Sequence, residues 1–219
     1  MKNIKQLASP LYGNGIGAEG SLLPGYRVYE YLLVLNPHEE LRNKIMDVKK
    51  DFYDKYKADT ARWGNPHVIL ASYFQYEMME ARIINRLQLV AMGFPPVKIE
   101  LKDYGSFPSH TIYIHITSKV PVQSLMKQIR AETQRLMKLN EDNKPHFIME
   151  PHLTIAHKLQ PWQYEKGWQE YSHKHFTGRF IADSMLLLKR PAGQMKYQVV
   201  QGFQFQNLPV STRQGELFG

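Results

Sequence analysis

The sequence contains no cysteine, and this absence limits the chemistry available to the chain. Without a thiol there can be no disulfides, no thiolate-bound zinc and no cysteine nucleophile. Long apolar runs are also missing, since no segment approaches the roughly 20 apolar residues of a membrane-spanning helix. Residues 1–15 do not resemble a signal peptide. We therefore expect a cytoplasmic protein with no membrane partner, whose reactive groups are nitrogen and oxygen side chains.

Acidic residues are fewer than basic ones. The chain has 20 Asp and Glu against 28 Lys and Arg, which gives a formal net charge of +8 and a sequence pI near 9.5. A basic protein attracts polyanions such as RNA and nucleotides. The basic residues are dispersed, however, and the same charge is typical of proteins in which it serves only solubility. Charge therefore favours an anionic partner without locating its site.

The regular part of the chain is predicted to be a single domain over residues 26–206, because no linker-like stretch divides it. Residues 1–25 are rich in glycine and lack a sustained period, which is typical of an arm or loop. The glycine cluster at 13–17 lacks the flanking strand and helix of a dinucleotide-binding turn, so no cofactor is predicted. Residues 207–219 are predicted to form a C-terminal tail.

Apolar periodicity indicates the same order of elements twice: strand, helix, strand opened by Pro-His, helix, strand. The first half is predicted to contain strands at 28–35, 66–74 and 97–105 and helices at 37–57 and 77–92. The second half is predicted to contain strands at 110–117, 151–156, 180–189 and 197–205 and helices at 122–139 and 162–171. This weak repeat predicts an α+β fold with two pseudo-symmetric lobes. We expect antiparallel sheets around a central cleft and helices on the outside.

The two Pro-His strands present different residues to the expected cleft. Side chains alternate along a strand, so His152, Thr154 and Ala156 are expected to share one face. By the same rule His67, Ile69 and Ala71 are expected to share a face in the first strand. The second strand thus pairs its histidine with a hydroxyl, whereas the first has an apolar side chain at that place.

These residues resemble the two-histidine (2H) phosphoesterase superfamily, which includes bacterial 2'-5' RNA ligase-like proteins and RNA cyclic phosphodiesterases. The family signature is His-x-Thr or His-x-Ser followed by an apolar residue, once in each lobe. Pro-His-Leu-Thr-Ile at 151–155 resembles the second copy, and His-Val-Ile-Leu at 67–70 is similar to the first. The first copy departs at Ile69. The resemblance extends over roughly 26–206, including the segment around Phe107.

The resemblance implies a phosphoesterase that needs neither metal nor cofactor. His67 and His152 would serve as acid and base, in an order that the sequence leaves open. Imidazoles suit these roles because their pKa lies near neutrality. Thr154 would donate a hydrogen bond to a phosphoryl oxygen. The implied substrate is a 2',3'-cyclic or 2'-5' phosphodiester of RNA or of a nucleotide, and we expect the protein to be a monomer.

Ile69 bears on whether the protein is an active enzyme, because losing one preorganised donor typically lowers turnover by about 10²- to 10³-fold. Tyr113 and His115 alternate with isoleucines and are expected to face the cleft, bind substrate and replace the donor. Lys158 is expected to add positive charge at the rim. The alternatives are a catalytically impaired RNA- or nucleotide-binding protein on the same scaffold, and an unrelated α/β protein with chance motifs.

Two further clusters are given structural interpretations. His173 and His175 have no nearby carboxylate pair or third ligand, so no metal site is predicted there. Aromatic residues follow with helical spacing at Trp162, Tyr164, Trp168 and Tyr171. We expect this cluster to pack on the core rather than to stack on bases.

Overall fold

The computed structural model describes residues 25–62 and 64–209 of the 219-residue chain. Within these ranges the strands are β1 Val28–Leu35, β2 Val68–Tyr76, β3 Val97–Phe107, β4 Thr111–Ile116, β5 His146–Phe147, β6 His152–Ala156, β7 Thr177–Ala182, β8 Ser184–Pro191 and β9 Gln198–Gln204. The α-helices are α1 Glu39–Tyr56, α2 Asp59–Arg62, α3 Glu80–Gly93, α4 Lys119–Met137 and α5 Pro161–Tyr171. The glycine cluster at 13–17 and most of the predicted arm and tail lie outside the described residues.

The strands form one antiparallel sheet in the order β7-β3-β4-β6-β2-β1-β8-β9, and β5 pairs with β2. In this order the first four strands form one half of the sheet and the last four form the other, and the halves meet between β6 and β2. A single residue pair, Val68 with Leu153, joins these two strands. We call this boundary the seam. The α+β prediction with two pseudo-symmetric lobes is confirmed, and both Pro-His strands lie at the seam.

Each half of the sheet is covered by a helix that comes from the other half. Helix α1 follows β1 but contacts β6, β7 and α5, while α4 follows β4 and contacts β2 and α3 as well as β3 of its own half. The buried stripe of α1 explains its position, because Leu41, Ile45 and Phe52 lie on one side of the helix and are buried. None of the helices among the described residues is both long and apolar enough to cross a membrane.

The two faces of the sheet differ in chemistry. In β4, Ile112, Ile114 and Ile116 are buried beneath the helices, whereas Tyr113 and His115 on the opposite side are partly exposed. The side turned away from the helices is here called the open face. It carries Ile69, Tyr113, His115, His152 and Thr154 near the seam.

Three predictions from the strand pattern are wrong. Ala156 does not share a face with Thr154, because a register shift between β4 and β6 pairs it with the buried Ile112. Ala71 does not share a face with Ile69, because a bulge shifts the register between β1 and β2 and puts Ala71 with the buried residues. The strand predicted over 180–189 is two strands, β7 and β8, which separate at Asp183 and pair in different halves of the sheet. The buried positions change phase there, from Phe180 and Ala182 to Met185 and Leu187.

Candidate active site

The pairing at the seam brings the two Pro-His segments together. Val68 and Leu153 are antiparallel partners, and each directly follows one of the histidines. An antiparallel pair has a local two-fold axis perpendicular to the sheet, so His67 and His152 occupy equivalent diagonal positions. Val68 is fully buried beneath the helices, so strand alternation predicts the open face for the residue before it, His67. Diagonal neighbours of this kind have Cα atoms about 7–8 Å apart, a separation over which two imidazoles reach one small group.

His152 is held by a backbone carbonyl two residues earlier in the chain and by two aromatic rings. Its Nδ1 lies 2.8 Å from the carbonyl oxygen of Glu150. A carbonyl only accepts hydrogen bonds, so Nδ1 carries the proton and Nε2 is the nitrogen that exchanges protons. The rings of Phe107 and Tyr113 each have centroids 5.0 Å from the imidazole centroid. Burial lowers the pKa of His152, whereas the hydrogen bond and the charge of Glu150 act to raise it.

His67 has a more strongly shifted pKa. Burial and, to a smaller extent, the positive charge of Lys49 lower the pKa of His67 to about 4, while a hydrogen bond with the Asn65 backbone acts in the opposite direction. The imidazole is therefore neutral at neutral pH. Asn65 precedes His67 by two positions, as Glu150 precedes His152, so both rings are oriented by equivalent backbone groups.

Lys49 is a buried charge that the sequence analysis missed. Its side chain is 5% exposed, and its Nζ donates to the carbonyl oxygen of Gly64 at 3.1 Å. Burial lowers the pKa of Lys49 to about 8. Gly64 lies in the segment that leads to His67, so Lys49 connects helix α1 to the base of this segment. The sequence signal was a lysine within the apolar stripe of α1, between Ile45 and Phe52.

On the open face, the residues next to the seam differ in polarity between the two halves, and each of the two sets is here called a wall. Tyr113 is the partner of Thr154, and His115 is the partner of His152. In the other half, the residue equivalent to Thr154 is Ile69, and its partner on β1 is the fully buried Val34. One wall is therefore polar and the other apolar. Continuing the seam register by one residue puts Ile69 opposite His152.

Gly105 supports the polar wall and was also missed by sequence reasoning. It is the β3 partner of Tyr113. A Cβ atom at this position would lie 2.6 Å from Nε2 of His115 and 2.7 Å from Cε2 of Tyr113. Both rings thus lie against the bare backbone of β3, and only glycine permits this contact without displacing them. The ring of Phe107 extends the layer, with its centroid 4.6 Å from that of Tyr113.

The remaining predicted residues lie in different surroundings. Tyr113 and His115 lie beside His152. Lys158 lies beyond the end of β6, is exposed, and adds its positive charge beside His157 rather than beside His152. The structure thus brings together Tyr113, His115, His152 and Thr154 on β4 and β6, with His67 directly before the seam pair and Lys158 apart at the edge.

The histidines after α5 have other contacts. His175 Nδ1 lies 3.2 Å from the Asp103 carboxylate. Within residues 25–62 and 64–209, no group of three or more potential ligands is arranged around a metal position. The prediction for the aromatic cluster is confirmed for Tyr171, which is buried, and for Tyr164 and Trp168, which pack against the core. It is wrong for Trp162, which is 49% exposed.

Comparison with known proteins assigns the family. Residues 36–194 match the family model of the 2'-5' RNA ligase superfamily, which is more than half of the chain. The chain belongs to the 2'-5' RNA ligase superfamily. This confirms the resemblance to two-histidine phosphoesterases that residues 67–70 and 151–155 indicated.

Relatives and solved structures agree with this assignment. A Bacillus pumilus protein described as a phosphoesterase is 23% identical over 133 residues, covering 59% of this chain and 71% of the relative. E. coli LigT without ligand has a TM-score of 0.59 at 12% identity, covering 81% of this chain and 98% of LigT. TT0787 of Thermus thermophilus has a TM-score of 0.58 at 15% identity, with coverages of 81% and 98%. At these identities the structures show a shared fold. LigT has also been crystallised with 3'-AMP and with phosphate.

The superfamily assignment can be related to the seam, because both motifs that resemble its signature lie there. In this 2'-5' RNA ligase superfamily member, the two matching motifs meet where Val68 pairs with Leu153.

Proposed function

We propose that this protein hydrolyses a 2',3'-cyclic or 2'-5' phosphodiester of RNA or of a nucleotide by metal-independent acid–base catalysis. The observation that carries the proposal is the seam pairing of Val68 with Leu153, the residues directly after His67 and His152. The superfamily match over residues 36–194 supports it. The LigT complexes with 3'-AMP and phosphate support a nucleotide phosphate as the ligand class.

For a cyclic phosphate, the reaction needs two proton transfers on opposite sides of one phosphorus atom. Water attacks phosphorus while a base removes its proton, and a new oxygen–phosphorus bond forms. The bond from phosphorus to one ribose oxygen breaks, and an acid protonates that oxygen. Two imidazoles on diagonal positions of adjacent strands suit this arrangement, because they approach a phosphate between them from opposite sides.

We assign the base role to His67 and the acid role to His152. With a pKa of about 4, His67 is unprotonated and ready to accept a proton at neutral pH. Burial lowers the pKa of His152, whereas the Glu150 carbonyl and carboxylate favour its charged form, and a bound phosphate anion favours that form further. The proton delivered to the leaving oxygen comes from Nε2, because Nδ1 is bonded to the carbonyl.

Three groups are proposed to bind the phosphoryl oxygens on the polar wall. Thr154 donates its hydroxyl proton, as the second motif implies. Burial raises the pKa of Tyr113, so its phenol keeps its proton and acts as a donor beside Thr154. His115 lies next to His152 and supplies a third contact. Together Tyr113 and His115 compensate for the hydroxyl that Ile69 lacks.

A second candidate is a nucleotide-binding protein without catalytic turnover. The apolar wall favours it, because Ile69 and Val34 stand where the polar half has Thr154 and Tyr113. Such a protein would retain the phosphate contacts of one half and lack the symmetric second donor.

The deciding experiment incubates the purified protein, in the presence of EDTA, with a 2',3'-cyclic mononucleotide and with a 2'-5'-linked dinucleotide. Products are separated by chromatography, and binding is measured in parallel at several salt concentrations. Turnover in chelator supports the phosphoesterase. Saturable, salt-sensitive binding without product supports the binding protein. Absence of both turnover and binding contradicts both candidates.

A further inference from the structure

In each half of the sheet, a helix side chain holds a backbone carbonyl shortly before the histidine. Lys49 of α1 donates from Nζ to the carbonyl oxygen of Gly64 at 3.1 Å. Gln123 of α4 donates from Nε2 to the carbonyl oxygen of Met149 at 2.9 Å. Both carbonyls lie three positions before the histidine of their half. The donors occupy different turns of α1 and α4, so the two halves share the contact although the donors do not align.

Both histidine segments are also attached to the opposite half of the sheet. Ahead of β6, residues 146–147 pair with β2, and the Ile148 N–H donates to the Leu70 carbonyl oxygen at 2.9 Å. Ahead of β2, the Thr60 hydroxyl of α2 hydrogen-bonds to the backbone N–H and carbonyl of His157, the residue directly after β6. A change in either helix donor is therefore expected to move one imidazole relative to the other.

The two helix donors differ in charge. Burial lowers the pKa of Lys49 to about 8, so its amine remains mostly protonated at neutral pH. Burial is the largest cause of the lowered pKa of His67, and the charge of Lys49 acts in the same direction. Gln123 carries no charge and adds no such effect at His152. The half that contains Lys49 thus holds its histidine in the neutral form, which a base requires.

The charged groups around His152 act in the opposite sense. Burial lowers the pKa of His152, the Glu150 carboxylate raises it, and His115 of β4 lowers it by less than Glu150 raises it. Lys119 Nζ lies 2.8 Å from that carboxylate, and the phenol of Tyr113 stays neutral because burial raises its pKa. The charge of Glu150 therefore favours the protonated ring, which an acid requires.

The surroundings of His67 contain a second imidazole but no second cation that acts on it among the described residues. Burial, followed by the charges of Lys158 and Lys49, lowers the pKa of His157. His157 is therefore mostly neutral at neutral pH. Lys49 is the residue whose charge distinguishes the His67 side of the seam from the His152 side.

We propose that Lys49 and Gln123 are paired positioning residues, each of which fixes the backbone in front of one histidine. The charge on Lys49 then makes His67 the base, whereas the neutral amide in the other half leaves its histidine able to act as the acid. This inference rests on the proposed function, because it concerns how the same two imidazoles receive their roles. Both residues act through the histidine segments rather than on the substrate. A misplacement of about 1 Å at a catalytic group lowers turnover by about 10²-fold.

The first test removes the neutral donor. Gln123→Met has nearly the same length and charge but no donor, so we expect kcat for a 2',3'-cyclic nucleotide to fall at least about tenfold. Both limbs of the pH profile of kcat/KM are expected to stay at their wild-type positions. Gln128→Met, at an exposed glutamine of the same helix, is the control and is expected to keep the wild-type kcat. Wild-type kcat in Gln123→Met overturns the inference.

The second test restores the donor and adds the charge. In Gln123→Lys the amine replaces the amide as donor to Met149, so kcat at the optimum is expected to lie well above that of Gln123→Met. A positive charge near His152 disfavours its protonated form, so the alkaline limb of kcat/KM is expected to move at least about 0.5 pH unit lower. Gln128→Lys adds the same charge at the exposed position and is expected to leave the limb in place. An alkaline limb at its wild-type pH in Gln123→Lys contradicts the inference.

A third test does not depend on turnover. The histidine rings of the wild type, Gln123→Lys and Lys49→Met are titrated by NMR. We expect Gln123→Lys to lower the pKa of His152 and Lys49→Met to raise the pKa of His67, each without moving the other. If these shifts occur in a protein that hydrolyses no phosphodiester, the proposed enzymatic function fails and the pairing of the helix donors with the histidines stands. Failure of either pKa to move overturns the pairing, whether or not the protein is an enzyme.

Discussion

Val68 and Leu153 face each other across the seam, and each is the residue directly after a histidine that follows a proline. Because the two residues hold equivalent places in the two halves, the local two-fold axis relates the two histidine motifs to each other. In the proposed mechanism the duplicated plan therefore gives one shared site, to which each half contributes one imidazole. Changes on either side of the seam are expected to affect the same reaction.

Removing either imidazole tests the assigned roles. We expect His152→Ala and His67→Ala each to lower kcat for a 2',3'-cyclic nucleotide by about 10²- to 10⁴-fold, which is the usual contribution of general acid–base catalysis. A p-nitrophenyl phosphodiester releases a leaving group that needs no proton. His152→Ala is therefore expected to retain far more activity on that ester than His67→Ala does. His173→Ala, which changes an exposed histidine after α5, is the control. Undiminished turnover of the cyclic nucleotide by His152→Ala contradicts the mechanism.

Restoring the hydroxyl at position 69 tests the significance of the apolar wall. We expect Ile69→Thr to raise kcat by about tenfold or more, because a second preorganised donor then faces the phosphate. Ile69→Val has nearly the same shape as the threonine variant but no hydroxyl, and it is the matched control. Conversely, Thr154→Val is expected to lower kcat by about 10²- to 10³-fold. Equal kcat values for the threonine and valine variants at position 69 show that a hydroxyl there does not reach the phosphate.

The pH profile follows from the two shifted histidines. A base works when it is deprotonated, so kcat/KM is expected to rise as pH increases through about 4, the pKa of His67. An acid works when it is protonated, so kcat/KM is expected to fall as pH increases through the lowered pKa of His152, below 6.5. The optimum thus lies on the acid side of neutrality. A profile that remains flat from pH 5 to pH 9 excludes His152 as the acid.

A change at Lys49 is expected to shift only the acid limb of the pH profile of kcat/KM. Its positive charge lowers the pKa of His67, so Lys49→Met is expected to raise that pKa and to move the acid limb of kcat/KM to higher pH. Lys50→Met changes the neighbouring exposed lysine of α1 and serves as the control. A purely structural role of Lys49 would lower stability without moving the limb. The measurement is therefore kcat/KM against pH together with the thermal midpoint of each variant.

Gly105→Ala tests the aromatic layer. The added methyl group meets the rings of His115 and Tyr113 at 2.6–2.7 Å, so both rings must move away from β3. We expect kcat/KM for a cyclic nucleotide to fall about tenfold or more, with the fold retained, because flexible side chains rather than backbone absorb the clash. Gly202→Ala, whose Cβ would meet only Leu186 at 3.2 Å, is the control on the other edge of the sheet. Wild-type kinetics in Gly105→Ala show that the ring positions do not influence the reaction.

The sequence predicted most of the elements because their signals are local. The strand over 28–35 is confirmed at both ends, and the helix predicted over 162–171 differs by one residue. The break at Asp183 was missed because neither glycine nor proline marks it. The bulge that moves Ala71 to the buried side was missed for a related reason, since it depends on the partner strand.

The sequence by itself determined the duplicated order of elements, the two histidine motifs and the apolar residue at Ile69, since periodicity and motif spacing are properties of neighbouring residues. Only the tertiary structure decided that β2 meets β6, that Lys49 lies beneath the His67 segment, and that Lys102, His115 and His152 form one row. The physical reason is strand register. It is set by packing between segments far apart in the chain, and a shift of one residue would turn each of these side chains to the opposite face.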